Sequence, residues 1–106
     1  MPNIKNNNDE EELEFIDLEE YAALGKKPGR AKAYKVRVDK EKVTFLKPIV
    51  TGEEILSKVG KSSNMFKLFQ RIKGQGKITI APNDKVDLTK KGVERFSTQK
   101  QNVTDG

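Results

Sequence analysis

The sequence contains no cysteine, no histidine and no tryptophan. Without cysteine there is no disulfide framework, no thiolate nucleophile and no thiolate-held metal. Without histidine the usual general base and the commonest metal ligand are missing. The carboxylates show no spacing that marks a catalytic pair. Gly74-Gln75-Gly76 is not followed by a helix, so it does not fit a phosphate-binding loop. No apolar run approaches the roughly 20 residues needed to cross a bilayer. Met1 to Asn8 lack the apolar stretch of a signal peptide. These absences point away from an enzyme, a cofactor, a metal and a membrane, and make the cytoplasm the expected compartment.

What is present is charge, unevenly placed. Of 106 residues, 34% are apolar and 35% charged, which allows one domain with a small core. The net charge of +5 hides a split. Residues 1–25 carry eight acids against one base, a balance of −7, and the remainder carries +12. An acidic arm therefore precedes a basic body.

Residues 1–12 are too polar to order themselves by burial. Leu13, Phe15, Ile16, Leu18, Tyr21, Ala22 and Leu24 follow as an apolar stretch. Asp17 and Glu20 fit a capping-box-like start and Gly25 a stop, which predicts a short helix over 18–24. Lys26 to Lys32, with Pro28 and Gly29, reads as a basic linker. Residues 1–30 are thus expected to form a largely disordered acidic extension with one helical segment, and deletion of residues 1–25 is expected to leave the fold intact while weakening binding to a partner enzyme.

From Ala33 the pattern becomes regular. Tyr34, Val36 and Val38 alternate with Lys35, Arg37 and Asp39, as in a half-buried strand. A polar turn over 39–42 and a strand over 43–47 complete a hairpin. Thr51-Gly52-Glu53-Glu54 is a capping box, with Val50 and Ile55 at staple positions, Val59 on the apolar face and Gly60 as stop. Phe66, Leu68, Gln70 and Ile72 alternate with Lys67, Phe69, Arg71 and Lys73. Lys77 to Ile80 forms a short strand, Val86 to Leu88 an extended or turn segment, and Val93 to Thr98 a last strand. The order β-β-α-β-β-(short)-β predicts an α+β fold, with one helix across an antiparallel or mixed sheet of four to five strands. The first and last strands are candidates for a central parallel pair.

Residues 31–98 resemble the bacterial multiubiquitin-domain family of ubiquitin-like proteins. The resemblance rests on the hairpin Tyr34-Lys35-Val36-Arg37-Val38-Asp39 and the helix opening Thr51-Gly52-Glu53-Glu54-Ile55-Leu56. It rests also on Val86-Asp87-Leu88 followed by Gly92-Val93-Glu94-Arg95-Phe96. It implies a β-grasp domain over 31–99 and a flexible tail over 100–106. It further implies a protein modifier served by an activating enzyme, a conjugating enzyme and a metallopeptidase of one operon, of a kind associated with bacterial antiviral defence.

Under that resemblance Gly106 is the expected site of conjugation, because only glycine lets backbone approach a nucleotide and acceptor without a Cβ clash. Any chain can also end in glycine. Phe69 is expected on the solvent face beside Lys67 and Arg71, as a patch for gripping by protein partners, or else tucked under a loop. Leu13, Phe15, Ile16, Leu18 and Tyr21 form a second candidate partner segment, or a helix docked on its own domain. Two other functions compete with a modifier. One is a β-grasp adaptor that binds without being conjugated. The other, disfavoured, is a nucleic-acid-binding module, for which Tyr34 and Phe69 are the only plausible stacking residues.

Overall fold

The computed structural model describes residues 13–101. Strand β1 (Leu13–Asp17) leads directly into helix α1 (Leu18–Ala23). Asp17 caps this helix, its side chain accepting the Glu20 N–H at 3.4 Å. Strand β2 (Ala31–Val38) turns through Asp39 and Lys40 into β3 (Glu41–Phe45). A short β4 (Ile49–Thr51) precedes helix α2 (Gly52–Lys58). Then come β5 (Phe66–Ile72), β6 (Gly76–Ile80), β7 (Lys85–Asp87) and β8 (Val93–Lys100).

Period-two alternation sets the main sheet. Tyr34, Val36 and Val38 of β2, Leu68 and Ile72 of β5, and Phe96 of β8 are buried on one face. The path β3-β2-β8-β5-β6 is antiparallel at both flanks, and parallel where Val38 meets Phe96. Helix α2 supplies Ile55 and Leu56 to the same core, at 0% and 2% exposure. The β4–β7 pair adds Val50 and Val86 to it. The fold is α+β, and this strand order is compatible with a β-grasp.

The capping box is formed as the sequence requires. Thr51 Oγ1 accepts the Glu54 N–H at 3.1 Å, and Glu54 Oε1 accepts the Thr51 N–H at 2.8 Å. Two of the helix-end donors that lack intrahelical partners are so satisfied. Thr51→Ala is expected to cost about 1 kcal/mol, read as a lower midpoint in denaturant melts with an unchanged slope. Gly52 has a separate reason to be glycine. Its N–H donates to Asp84 O at 3.1 Å, and a Cβ there would collide with the Ala81 carbonyl oxygen.

The N-terminal segment departs from the sequence expectation. Instead of a tethered arm, residues 13–23 are part of the domain. Leu13, Phe15, Ile16 and Asp17 pair in parallel with Ala31, Ala33, Tyr34 and Lys35. Tyr34 and Lys35 also pair with β3, and so does Val38, which meets β8. It follows that β1 and β8 share one edge of β2: β1 takes its first half and β8 joins at Val38. Ile16 and Leu18, each 1% exposed, belong to the core cluster, and Ala22 is buried at 2%. The physical reason is that β2 is longer than expected and offers β1 an edge. The linker shrinks accordingly to 24–30, fixed by Tyr34, whose hydroxyl accepts the Ala31 N–H and donates to Gly29 O. Residues 1–12 lie outside the described residues.

At the other end β8 continues two residues beyond Thr98, so Lys100, expected in the tail, is paired with Phe66.

Candidate functional site

The outer face of the main sheet carries the charge. On its β1-β2-β3 half, acids answer bases. Asp17 Oδ2 lies 2.6 Å from Lys42 Nζ, and Glu19 Oε1 lies 2.8 Å from Arg37 Nε and 3.4 Å from Lys42 Nζ. Partial burial pushes the Asp17 carboxyl up, but the Lys42 ammonium and backbone N–H bonds outweigh this and hold it low. The hydrogen bond from Arg37 holds Glu19 low despite some burial.

On the β8-β5-β6 half the bases stand together. Register places Arg71 between Lys77 and Arg95, Phe69 between Thr79 and Ser97, and Lys67 beside Gln99. Among the described residues no ion pair engages Lys67, Arg71, Lys77 or Arg95. Phe69 is half-buried, with Lys77 Nζ 4.5 Å from its ring centroid. A shallow hollow beside it is lined by Lys67, Phe69, Gln99, Lys100 and Gln101. Such a face attracts an acidic surface that also offers an apolar contact for the ring.

The residues singled out from sequence are therefore divided. Lys67, Phe69 and Arg71 are together on β5, facing outward. Ile16 and Leu18 point into the protein's own core and are not offered to a partner. Phe15 is 54% exposed on the outer face, with Lys35 Nζ 4.7 Å from its ring. Tyr21 is half-buried against the core, with Lys26 at 4.9 Å. The Leu13 backbone pairs with Ala31, and its side chain is outside what is described. Phe15 lies opposite Ala33 and Phe69 opposite Ser97, which is level with Asp39, so the two rings are six β2 positions apart along the sheet, roughly 20 Å at ordinary strand rise, and do not form one patch. Gly106 lies outside the described residues.

Sequence reasoning missed Lys77 and Arg95 as members of the basic face. Both sit on strands it recognised, but their convergence on Arg71 needs the register between strands. It also missed Asp39, read only as part of a turn. The signal there was an Asp closing an alternating strand, since Asp is among the few residues that tolerate a left-handed backbone. Among the described residues no cluster of three carboxylates forms a metal site, and no helix is long and apolar enough to cross a membrane.

No curated protein and no solved structure matches the chain. The family model for multiubiquitin matches residues 34–101, from the middle of β2 to the end of β8 and Gln101. That match takes in the hairpin, α2, and the whole β5-β6-β8 face with its Lys67-Phe69-Arg71 row, well over half of the sequence. This chain belongs to the multiubiquitin family.

Proposed function

We propose that the chain is a ubiquitin-like protein modifier, not itself an enzyme, activated at Gly106 and transferred to protein targets. The observation that carries this reading is the family match across 34–101, which takes in the whole of the β5-β6-β8 face. The partners it calls for are an activating enzyme, a conjugating enzyme and a metallopeptidase from the same bacterial operon. Antiviral defence and a cytoplasmic setting belong to the same reading. The Lys67-Phe69-Arg71 face, enlarged by Lys77 and Arg95, is the surface by which an acidic region of the activating enzyme would hold it.

The chemistry asks little of the modifier's own side chains. Its α-carboxylate attacks the α-phosphorus of ATP, and pyrophosphate leaves. The acyl adenylate then passes to a thiol or hydroxyl, releasing AMP. What the modifier supplies is a grip and a carboxylate unencumbered by a side chain. The test mixes the protein with its candidate activating and conjugating enzymes and ATP, then seeks an adduct through Gly106 by mass spectrometry. Gly106→Val is expected to fold normally and lose conjugation, because its Cβ would stand where nucleotide and acceptor approach. Undiminished transfer by that variant removes Gly106 from the mechanism. Tight binding without any adduct favours the adaptor reading. The nucleic-acid reading is weakened because Tyr34 is buried with its hydroxyl engaged, leaving Phe69 alone of the two stacking candidates.

A further inference from the structure

Strand β2 ends at Val38, opposite Phe96, yet β8 runs on to Lys100. On its β5 side this extension is fully paired, from Ser97 with Phe69 to Lys100 with Phe66. On the β2 side no strand accompanies it among the described residues. Asp39 stands there instead. It is the only described non-glycine residue with positive φ, at 56°, so its backbone turns away from the sheet. Its N–H still donates to Phe96 O at 2.9 Å, and its carboxylate Oδ1 accepts the Thr98 N–H at 2.9 Å.

Those are the two groups that a residue on a parallel neighbouring strand would satisfy opposite Ser97. The Asp39 carboxylate replaces the backbone carbonyl that the turn has carried away. Oδ2 accepts the Thr98 hydroxyl at 2.5 Å, and Lys61 Nζ, from the segment after α2, reaches Oδ2 at 3.0 Å and Thr98 Oγ1 at 2.9 Å. Lys61 also lies over the Phe66 ring at 5.0 Å. Three residues after Thr98, the Gln101 N–H donates to Met65 O at 2.8 Å and its side-chain amide to Ser63 O at 3.2 Å. Partial burial pushes the Asp39 carboxyl up, but the bonds from Thr98 and Lys61 outweigh it and hold the group below the usual carboxylate range. At neutral pH it is an ionised acceptor.

Resting on the modifier reading above, we infer that Asp39, Lys61 and Thr98 form a positioning clamp that fixes the direction in which the segment toward Gly106 leaves the domain. From Gln101 to Gly106 five residues span at most about 16–18 Å. Over so short a reach, the angle at the root decides whether the carboxylate meets the nucleotide once the sheet face is held. A clamp of this kind acts on the reacting geometry and leaves binding alone, and misplacement by about 1 Å costs on the order of 100-fold in rate. Asp39 suits the position because a turn and a ladder contact are needed from one residue. Asn retains the turn and one acceptor, but not the charge that orders Lys61.

The experiment is ATP–pyrophosphate exchange by the activating enzyme, with the full chain as the varied substrate. Lys61→Met, which leaves the basic face untouched, is expected to lower kcat about 10- to 100-fold with KM little changed. Asp39→Ala should lower kcat as much, with a change in KM of its own because Asp39 borders the hollow lined by Arg71, Lys77 and Arg95. Asp39→Asn should recover part of the loss, through an amide oxygen that still accepts the Thr98 N–H. Amide exchange at Thr98 and Gln101 should quicken in Asp39→Ala. Should Asp39→Ala fail to fold, Lys61→Met and the near-isosteric Thr98→Val carry the test. Wild-type exchange with unchanged kcat in the folded variants overturns the clamp and leaves the modifier reading standing. A rise in KM alone also overturns it, because the residues would then serve docking. Absence of exchange with wild-type protein, despite an activating enzyme competent on another modifier, removes both together.

Discussion

Deleting residues 1–25 is expected to lower the stability of the remaining domain by about 3–6 kcal/mol, from the loss of Ile16 and Leu18 alone. Both side chains are all but fully buried, and each contributes about 1.5–3 kcal/mol when removed from water. The deletion also strips Ala22 from the core and exposes the β2 edge paired with β1. Small domains have only about 5–15 kcal/mol in total, so the truncated protein should be largely or wholly unfolded at 37 °C. The ion pairs Asp17–Lys42 and Glu19–Arg37 add little to this, because their side chains remain in contact with water. The measurement is a urea melt of full-length and truncated protein, followed by circular dichroism. Coincident midpoints would mean that β1 and α1 rest on the domain without stabilising it.

Ile55→Ala is expected to cost about 2–5 kcal/mol. Ile55 has no exposed surface, and it sits one turn into α2, where it joins the helix to the core formed by Tyr34, Val36 and Leu68. The substitution removes three carbon atoms and leaves a cavity whose walls are held by strands on several sides, so collapse into it is limited. The helix itself should survive, since alanine is the better helix former and the capping box is intact. The loss should therefore appear in the cooperative unfolding of the whole domain. An unchanged denaturant midpoint would show that α2 faces the core with a different side.

The body of this fold was readable because its signals are local. Alternation in Tyr34-Lys35-Val36-Arg37-Val38 and in Phe66-Lys67-Leu68 marks strands, and Thr51 with Glu54 marks the start of a helix within four residues. Strand β1 was not readable. Leu13-Glu14-Phe15-Ile16-Asp17 interrupts its own alternation with two adjacent apolar residues, and five residues in isolation have no reason to be extended. They become a strand only because β2 presents an edge 18 positions later. The pairing β4–β7 was hidden for the same reason, joining two three-residue pieces some 36 positions apart. At the site, Phe69 and its flanking cations followed from alternation within β5. Lys77 and Arg95 required the register to neighbouring strands, and Asp39 required knowing that β8 outruns β2. Side chains acting across strands leave no periodic trace.

The shared edge of β2 also bears on the order in which the chain assembles. The hairpins β2–β3 and β5–β6 close over a few residues each, and β1 finds β2 across a short connection. The bridge from Val38 to Phe96 spans 58 positions and is the only rung that ladder has. Loop-closure entropy places such a contact late, after local pairs have formed and when β5–β8 pairing has already brought Phe96 near. The domain so divides, in time, into an N-terminal lobe of β1, α1, β2 and β3 and a C-terminal lobe built on β5. Between them lies a seam with one backbone rung, the Asp39 carboxylate beside it, and α1 packed against β8. A contact formed last contributes little to the folding barrier and much to the unfolding one. The lifetime of the native state, more than the speed of reaching it, is therefore set at this seam.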